Sequence, residues 1–544
     1  MDIQNLAARN EGLARGALVI TLATTASRIT GFLRVVVVAG TLGTTFLANV
    51  YQTANTAPNL LFELMAAGVL TSVFVPTFVS LLIQRDRESS WDVANALTSV
   101  ALVALVGLAL VLALAAPLVM RLLTLGVQDP QLRADEVQLG TTLLRLFAPQ
   151  VIFYGAGMIM TSALHAHRKF LLPALAPIAN NVVVIGVYLG YAALRGPQSP
   201  EVGNVTAGEA LLLGAGTTAG VIAMTLVLLP QLRRLQWRWR WTWRPRAPEV
   251  ARGLRVGIWG LGYAGGYQAG LIVVLLLANK LEGGVAAYQW AYTFFYLPHA
   301  LIGVALFNVL FTAMSEHAAR GELGAVGGRL AEGLGMLFFL LLPTAALLVV
   351  AAEAIARTTL EYGVMTSGNA VLIGRVLAAF AVGLPGFSAF LVLTRAFYAM
   401  GEGRVPALVN AATVALASGL GAYLFFRVSP GWEVAGLAAG HSLAFTLGAA
   451  VLARGLPRRG VALGRRGLMT VGARSLVCTA AAAAVGLLVA GASDTPTRLQ
   501  AALELFAIAT VMAAVYVGAM AAIRSPELGR LRRLVTSGSI RAAR

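Results

Sequence analysis

Long apolar stretches recur along the whole chain and are separated by short polar segments. A transmembrane helix needs about 20 apolar residues, so this pattern predicts an all-α polytopic membrane protein with about 14 transmembrane helices. The first stretch lacks a small-residue cleavage site, which favours a retained helix over a removed signal peptide. We place the helices near residues 15–41, 46–83, 92–119, 137–165, 171–194, 207–231, 251–279, 285–315, 328–355, 369–399, 405–426, 433–453, 472–491 and 499–523.

The first six and the next six helices are interpreted as two copies of one unit. Segment 161–175 matches segment 394–408 at six positions that share an offset of 233, and Pro58 and Pro298 interrupt the second helix of each set. Both sets begin on the same side of the membrane. The repeat is therefore parallel and predicts two six-helix lobes, related by a pseudo-two-fold axis, that enclose a cavity. Chance similarity between Ala- and Leu-rich helices is the alternative.

Charge divides the loops into two classes. The chain has 41 Lys and Arg residues and a formal net charge of +18. We assign 29 of these residues to one set of loops and seven to the opposite set, and the positive-inside rule makes the richer side cytoplasmic, with both termini on it. The predicted order is a cytoplasmic N-terminus 1–14, lobe 15–231, a Trp- and Arg-rich connector 232–250, lobe 251–453, a basic loop 454–471, two helices within 472–523, and a basic tail 524–544.

The connector alternates tryptophan and arginine at positions 237–244. Aromatic and basic residues together can bind nucleic acid by stacking and charge. On the cytoplasmic face between two spans, the pattern is more typical of an anchor in anionic headgroups, with Trp at the interface and Arg toward the phosphates. We therefore expect anionic lipids, and no nucleic acid, as partners of the basic cytoplasmic loops.

Motifs of enzyme catalysis are missing from the sequence. It contains no phosphate-binding Gly-rich loop, no paired His motif with metal spacing and no Gly-flanked nucleophilic Ser. Its one cysteine, Cys478, excludes disulfide frameworks and cysteine-built metal sites. These features predict a transporter that is not an enzyme and that uses no metal or cofactor.

Two arginines lie in the first predicted helix. An arginine inside a bilayer costs at least about 2.5 kcal/mol on insertion scales, so it normally faces a cavity or a partner. Arg28 lies about 20 Å into a helix that starts at residue 15, and Arg34 lies about 9 Å further on. An anion with separated phosphates can bridge such a pair, which makes both arginines candidate substrate-binding residues.

The second predicted helix adds Asn49, Asn59 and Glu63 to the candidate binding set. Glu63 has two interpretations, as part of the site or as the ion-pair partner of Arg28 or Arg34. The other polar residues within spans are individually more typical of helix packing than of ligand binding. They are Asn180, Asn181, Asn308, Asn410, His299 and His441.

A pattern near the amino terminus carries a family resemblance. It consists of Ser27-Arg28, Gly31-Phe32-Leu33-Arg34, Gly43, Pro58-Asn59-Leu60-Leu61, Gly68 and Phe74-Val75-Pro76. This pattern resembles the signature of the lipid II flippases, the MurJ/MviN family of the multidrug/oligosaccharidyl-lipid/polysaccharide exporter superfamily. The resemblance implies a bacterial plasma-membrane protein that moves lipid II, the undecaprenyl-diphosphate-linked disaccharide-pentapeptide precursor of peptidoglycan, to the outer leaflet by alternating access. It also implies a cationic cavity for the diphosphate, with the family's arginines at Arg28 and Arg34, and a groove from the last two helices for the lipid tail.

Several charged positions of the family are changed in this chain. Asn49 stands where many members have Asp, Phe62 and Glu63 where they have paired Arg, Ala67 where an acid is common, and Tyr292-Thr293 where an Asp-Arg pair is typical. The cavity is therefore less charged than the family pattern, and the coupling ion stays open. Two alternatives remain: an exporter of another polyprenyl-linked glycan or of a drug, and a non-transporting scaffold that recruits cell-wall synthesis or division proteins.

Overall fold

The computed structural model describes residues 3–65, 87–196, 198–235, 239–245, 268–491 and 497–531. The regular secondary structure of these residues is entirely helical. The chain divides into two compact units, residues 1–285 and 286–544. The helices of the first unit are α1 Ile3–Leu42, α2 Phe46–Met65, α3 Arg87–Leu123, α4 Pro130–Phe147, α5 Gln150–Ala166, α6 Leu171–Arg195, α7 Ala207–Leu226, α8 Leu229–Arg234 and α9 Gln268–Ala278.

The second unit contains the remaining long helices. They are α10 Gly284–Pro298, which begins at the unit boundary, α11 Val304–Ala319, α12 Leu323–Val350, α13 Ala352–Leu360, α14 Ser367–Val382, α15 Leu384–Ala399, α16 Arg404–Phe425, α17 Glu433–Gly455, α18 Arg465–Ala490 and α19 Arg498–Ala522. A single π-helical turn, His299–Gly303, joins α10 to α11. The prediction of an all-α membrane protein is confirmed.

Helix length and apolarity indicate how many of the described helices can span a membrane. Ten of the described helical segments are long and apolar enough to cross a membrane, or eleven if the bent pair α14 and α15 forms one span. The count of fourteen stays a prediction, since parts of the predicted second and seventh helices fall outside the described residues. Helix α1 begins at Ile3, well before the predicted start near residue 15, but its apolar span begins only at Leu22.

Local signals in the sequence fix several helix starts. Asp129 precedes α4, and its carboxylate accepts hydrogen bonds from two backbone N–H groups of the first turn. Thr206 with Glu209 and Thr497 with Gln500 form capping boxes at the starts of α7 and α19. Each of these side chains binds backbone groups that have no partner inside the helix, and this stabilises the start of the helix at that residue.

The predicted repeat reappears in the helix boundaries. Helices α5 and α15 end at Ala166 and Ala399, and α6 and α16 begin at Leu171 and Arg404. Both pairs differ by 233, the offset that the sequence identities share. In each set a break precedes the repeated pair, and at Gly383 the two helices bend by 47°.

A seryl side chain supports that bend. Ser442 on α17 donates its hydroxyl to the carbonyl oxygens of Ala379 and Phe380, at 2.8 and 3.1 Å. These carbonyls lie in the last turn of α14, where intrahelical donors run out. Gly383 packs directly on Ser442, and a Cβ there would overlap it. The close approach explains why glycine occupies the break.

Histidines and aromatic rings form the core of the second unit. The buried His441 ring lies 5.4 Å from the centroid of Phe380 and 4.4 Å from that of Phe445. His299, in the π-helical turn, forms a 2.9 Å hydrogen bond with Ser388. The placement of both histidines matches the expectation that they pack helices together.

The last long helix is joined to the rest of the second unit by side chains that bind backbone carbonyls. Tyr516 on α19 donates its hydroxyl to the carbonyl of Phe339 at 2.6 Å. Arg498 on the same helix donates to the carbonyl of Thr358, in the short helix α13, at 2.8 Å. Leu488 on α18 and Phe506 on α19 stay exposed, with 74% and 72% of their surface accessible.

The first unit extends beyond the predicted first lobe. Residues 268–285, predicted as the end of the seventh helix and the start of the eighth, group with residues 3–235 in one compact unit. Hydrogen bonds from Asn49 and Asn279 account for this grouping, because they tie residues 279–285 to α2 and α3.

Candidate functional site

Helix α1 carries the two candidate arginines. The Arg28 side chain is exposed and that of Arg34 is half-buried. Neither arginine forms an ion pair with Glu63 or with any other acid that the structure describes. With the apolar span starting at Leu22, Arg28 lies about 9 Å inside it and Arg34 about 18 Å. Arg28 is therefore shallower than the sequence pattern indicated, because the polar start of α1 belongs to the same helix.

Three tyrosines lie within electrostatic range of the inner arginine: Tyr51, Tyr154 and Tyr188. Tyr51 and Tyr188 are buried and meet edge to face, with ring centroids 5.6 Å apart. The Tyr51 hydroxyl forms a 2.8 Å hydrogen bond with the hydroxyl of Thr217. Sequence reasoning missed these residues. The three tyrosines come from α2, α5 and α6 and Thr217 comes from α7, and no regular spacing connects them.

The polar residues of α2 have different surroundings. Glu63 is exposed, and its carboxylate accepts a 2.5 Å hydrogen bond from the amide of Gln268. Phe62 stacks on Tyr154 with a centroid distance of 4.5 Å. Asn59 is half-buried next to Pro58, which lies inside the helix. At the two positions where the family has paired arginines, this chain therefore has a stacked ring and a carboxylate bound to an amide.

Asn49 is engaged by the protein itself. Its amide nitrogen donates to the carbonyl of Leu281 at 2.8 Å, and its amide oxygen accepts from the N–H of Val285 at 3.0 Å. One turn later, Thr53 and Asn279 exchange hydrogen bonds of 3.1 and 3.3 Å. We call the five residues joined in this way the amide latch: Asn49, Thr53, Asn279, Leu281 and Val285.

Glycine is required where the amide latch closes. Gly283 has a φ of +66°, a conformation that L side chains rarely adopt. A Cβ on this residue would also overlap the backbone of Thr44. The tight turn between α9 and α10 can therefore approach the start of α2 closely enough for the latch to form.

Other predicted polar residues serve packing in the described structure. The amide of Asn181 on α6 donates to the hydroxyl of Thr30 at 3.0 Å, beside the two arginines of α1. Asn180 and Asn410 are buried. The side chain of Asn308 lies outside the described residues.

Where the family pattern has charges in the eighth helix, this chain has neutral packing. The ring of Tyr292 lies 5.5 Å from that of Phe380 and 5.9 Å from that of Tyr296. Thr293 donates to the carbonyl of Gln289 within its own helix. Ala67, the remaining changed position, lies outside the described residues.

The described part of the basic connector is residues 239–245. Trp239, Trp241 and Trp243 are exposed, and the last two rings stack nearly parallel with centroids 6.3 Å apart. The N–H of Thr242 donates to the hydroxyl of Ser99 at 3.1 Å, which holds the connector against α3. Three exposed indoles on one segment suit an interfacial position.

Helix α1 presents two positively charged side chains that can bind an anionic ligand. Two guanidinium groups about 9 Å apart along one helix present forked donors that match phosphate oxygens. Among the described residues, no group of His, Cys, Asp or Glu side chains is arranged to hold a metal ion. The arrangement suits binding of a phosphorylated ligand.

Comparison with known sequences assigns the family. The family described as lipid II flippase MurJ matches residues 38–507. The chain belongs to the lipid II flippase MurJ family. The matched residues begin after Arg34, so membership does not depend on the two arginines of α1.

Relatives of this MurJ family member cover most of its length. A probable lipid II flippase MurJ of Rhizobium tropici is 29% identical over 443 residues, 80% of each chain. That of Rhizobium meliloti is 26% identical over 520 residues, 95% of each chain. The lipid II flippase MurJ of Burkholderia cenocepacia is 26% identical over 455 residues, 82% of this chain and 84% of its own.

Solved structures share the fold. A lipid II flippase MurJ in an inward closed conformation superposes with a TM-score of 0.74 at 18% identity, covering 93% of this chain and 98% of its own. A multidrug resistance MATE family transporter in an inward-facing conformation gives a TM-score of 0.65 at 14% identity, covering 84% and 98%. The MurJ fold and the related MATE fold thus extend over most of the chain.

Proposed function

We propose that this protein moves lipid II from the cytoplasmic to the outer leaflet of a bacterial inner membrane. The observation that carries the proposal is the family match over residues 38–507. The cations of α1 support it, because the cargo carries a diphosphate that two guanidinium groups can hold. Transport of this kind breaks no covalent bond, so we propose a transporter without catalytic activity.

The cargo site in this proposal is centred on Arg28 and Arg34. Arg28 is exposed and has no acidic partner among the described residues, which leaves its forked donors open to phosphate oxygens. Arg34 lies about 9 Å further along the same helix and also has no acidic partner among the described residues. Asn59 and Glu63 stay predicted contacts on α2. Asn49 is assigned to the amide latch, since both ends of its amide are already hydrogen-bonded.

We propose that transport proceeds by alternating access and that the amide latch holds one end of α2 shut. In the predicted topology the turn between α1 and α2 and the turn before α10 both lie outside. The latch consists of a few neutral hydrogen bonds, each worth about 1 kcal/mol net. Such bonds can open and close without the cost of separating buried charges. This suits a gate that must cycle.

The lipid tail of the cargo is proposed to lie against the last two helices. Leu488 on α18 and Phe506 on α19 present large apolar side chains at the surface of the chain. A polyprenyl chain gains contact there without displacing polar groups. The exposed face supports the tail position that the family resemblance implies.

Orientation and the remaining partners are also proposals. The arginine distribution supports cytoplasmic termini, and the exposed indoles of residues 239–245 support an interface with anionic lipids. Cell-wall synthesis or division proteins are proposed as further partners of the basic loops. Cysteines placed at Asp129 and Ser199 in a Cys478→Ala background should react with an impermeant maleimide added outside. Protection of both sites would contradict the orientation.

Complementation tests the transport proposal. Cells depleted of their own flippase should accumulate lipid II in the cytoplasmic leaflet, and expression of this chain should restore its exposure outside. A matched vector without the chain sets the background. Accumulation of a different polyprenyl-linked glycan would favour another exporter. Normal lipid II exposure with mislocalised cell-wall enzymes would favour a scaffold.

A further inference from the structure

A second group of arginines lines a groove between α3 and α4. Arg121 stands in the last turn of α3, and Arg133 and Arg145 stand on α4. The groove has a volume of about 640 Å³ and is open to the surroundings of the chain. Its other lining residues are Pro130, Ala134, Val137, Gln138, Thr141 and Thr142. The lining therefore contains three positive charges and no acidic side chain.

The three guanidinium groups lack acidic partners among the described residues. Arg145 donates only to the carbonyl of Ala113, at 3.4 Å. The nearby Asp129 is used as the helix cap of α4, and Asp135 accepts from Gln131. Of the three, Arg145 lies within a predicted span, where an arginine is costly unless a partner or water satisfies it. An anionic ligand in the groove would lower that cost.

A buried hydroxyl also faces the groove. Thr141 is only 9% exposed, and its hydroxyl has no hydrogen-bond partner in the described part of the chain. Gln138 and Thr142 line the same wall of α4. Since a buried polar group without a partner costs free energy, these groups suit a ligand with oxygens beyond its phosphates, such as a sugar.

An apolar track continues from the groove along α3. Leu110, Leu114 and Leu118 are spaced four residues apart, and their exposed fractions are 59%, 80% and 60%. This spacing places the three side chains in one row on the helix. They belong to a wider exposed apolar surface of α3 that also includes Val106, Val111 and Leu122, and this surface can contact a polyprenyl chain.

We propose that this groove binds the diphosphate head of a polyprenyl lipid, as a site separate from the arginines of α1. The inference rests on the proposed function, because the cargo belongs to this chemical class. The turn between α3 and α4 lies outside in the predicted topology, so the groove would hold the lipid on the outer side after translocation. Three cations complement a diphosphate better than the one charge of a phosphodiester.

Binding stoichiometry tests the proposal. Undecaprenyl diphosphate is titrated into the purified full chain in detergent, and bound molecules are counted by native mass spectrometry. The parent protein should bind two molecules, and Arg121→Gln/Arg133→Gln should bind one, with the second site weakened about tenfold or more. The matched control Arg320→Gln/Arg427→Gln removes the same charge from exposed positions and should bind two.

Two molecules bound by Arg121→Gln/Arg133→Gln, with unchanged affinity, would overturn the site. Competition identifies its occupant. If inorganic diphosphate or a phospholipid with two phosphates displaced the groove-bound lipid at equal concentration, the polyprenyl assignment would be wrong. Failure of the proposed function gives a different result, because the parent chain itself would then fail to restore lipid II exposure in flippase-depleted cells, whereas the groove is tested by the number of lipid molecules that the purified chain binds.

Discussion

Arginines in the apolar helices of the two compact units are held in different ways. In the first unit, Arg28 and Arg34 have no acidic partner among the described residues. In the second unit, Arg375 donates to the carbonyl of Gly431 at 3.0 Å and lies over the ring of Trp432 at 5.1 Å. In this unit the protein itself supplies the carbonyl oxygen and the aromatic ring that the guanidinium contacts.

Arg395 shows the same contrast. Its guanidinium lies 5.6 Å from the ring centroid of Phe311, within the range of cation–π attraction. The comparison indicates that the repeat preserves the helix pattern while the two copies differ in chemistry. Cations open to a ligand belong to the first unit, on α1 and in the groove between α3 and α4, and those of the second unit contribute to stability.

The largest effect is expected from locking the amide latch. In a Cys478→Ala background, Thr53→Cys/Asn279→Cys should form a disulfide because the native side chains are within 3.3 Å. Oxidation should abolish complementation, and reduction should restore it, since alternating access requires this end to open. The rate of lipid II exposure outside is the measurement.

The matched control for the lock is Gln150→Cys/Thr218→Cys. Its native side chains are 3.1 Å apart, and both helices belong to the first predicted lobe. We expect this cross-link to leave complementation intact. Full activity of the oxidised latch variant would show that the latch does not gate transport.

A smaller effect is expected from Arg375→Ala. Loss of the hydrogen bond to Gly431 and of the contact with Trp432 should lower the free energy of unfolding by about 1–2 kcal/mol. Complementation per folded molecule should stay normal, because this arginine serves the second unit's structure. Thermal unfolding in detergent and complementation normalised to abundance measure the two quantities. Lost transport at normal stability would erase the contrast between the units.

Much of the fold could be predicted from sequence because apolar runs and helix caps are local signals. Apolar runs predict helix ends near residues 165 and 399 and helix starts near 171 and 405, and the structure has them at Ala166, Ala399, Leu171 and Arg404. The start of α1 could not be located, since hydropathy marks the apolar span from Leu22 and not the polar helix that precedes it. Backbone hydrogen bonds extend α1 through these polar residues, because helix formation does not require apolar side chains.

The candidate site was only partly predictable. The cost of burying an arginine singled out Arg28 and Arg34 without knowledge of the fold. The role of Asn49 depends on Leu281, a residue 232 positions away. No single-sequence pattern connects two such positions. The contacts of Tyr51 with Tyr188 and Thr217 are likewise created by tertiary packing alone.

The central claim is that Arg28 binds the cargo and is not a structural residue. The direct test measures lipid II exposure in flippase-depleted cells that express Arg28→Ala, Arg28→Lys or the parent chain at equal membrane abundance. The account predicts no exposure with Ala and weak exposure with Lys, since an ammonium cannot form the forked contact. The unfolding midpoint should not change. Normal lipid II exposure with Arg28→Ala would contradict the account.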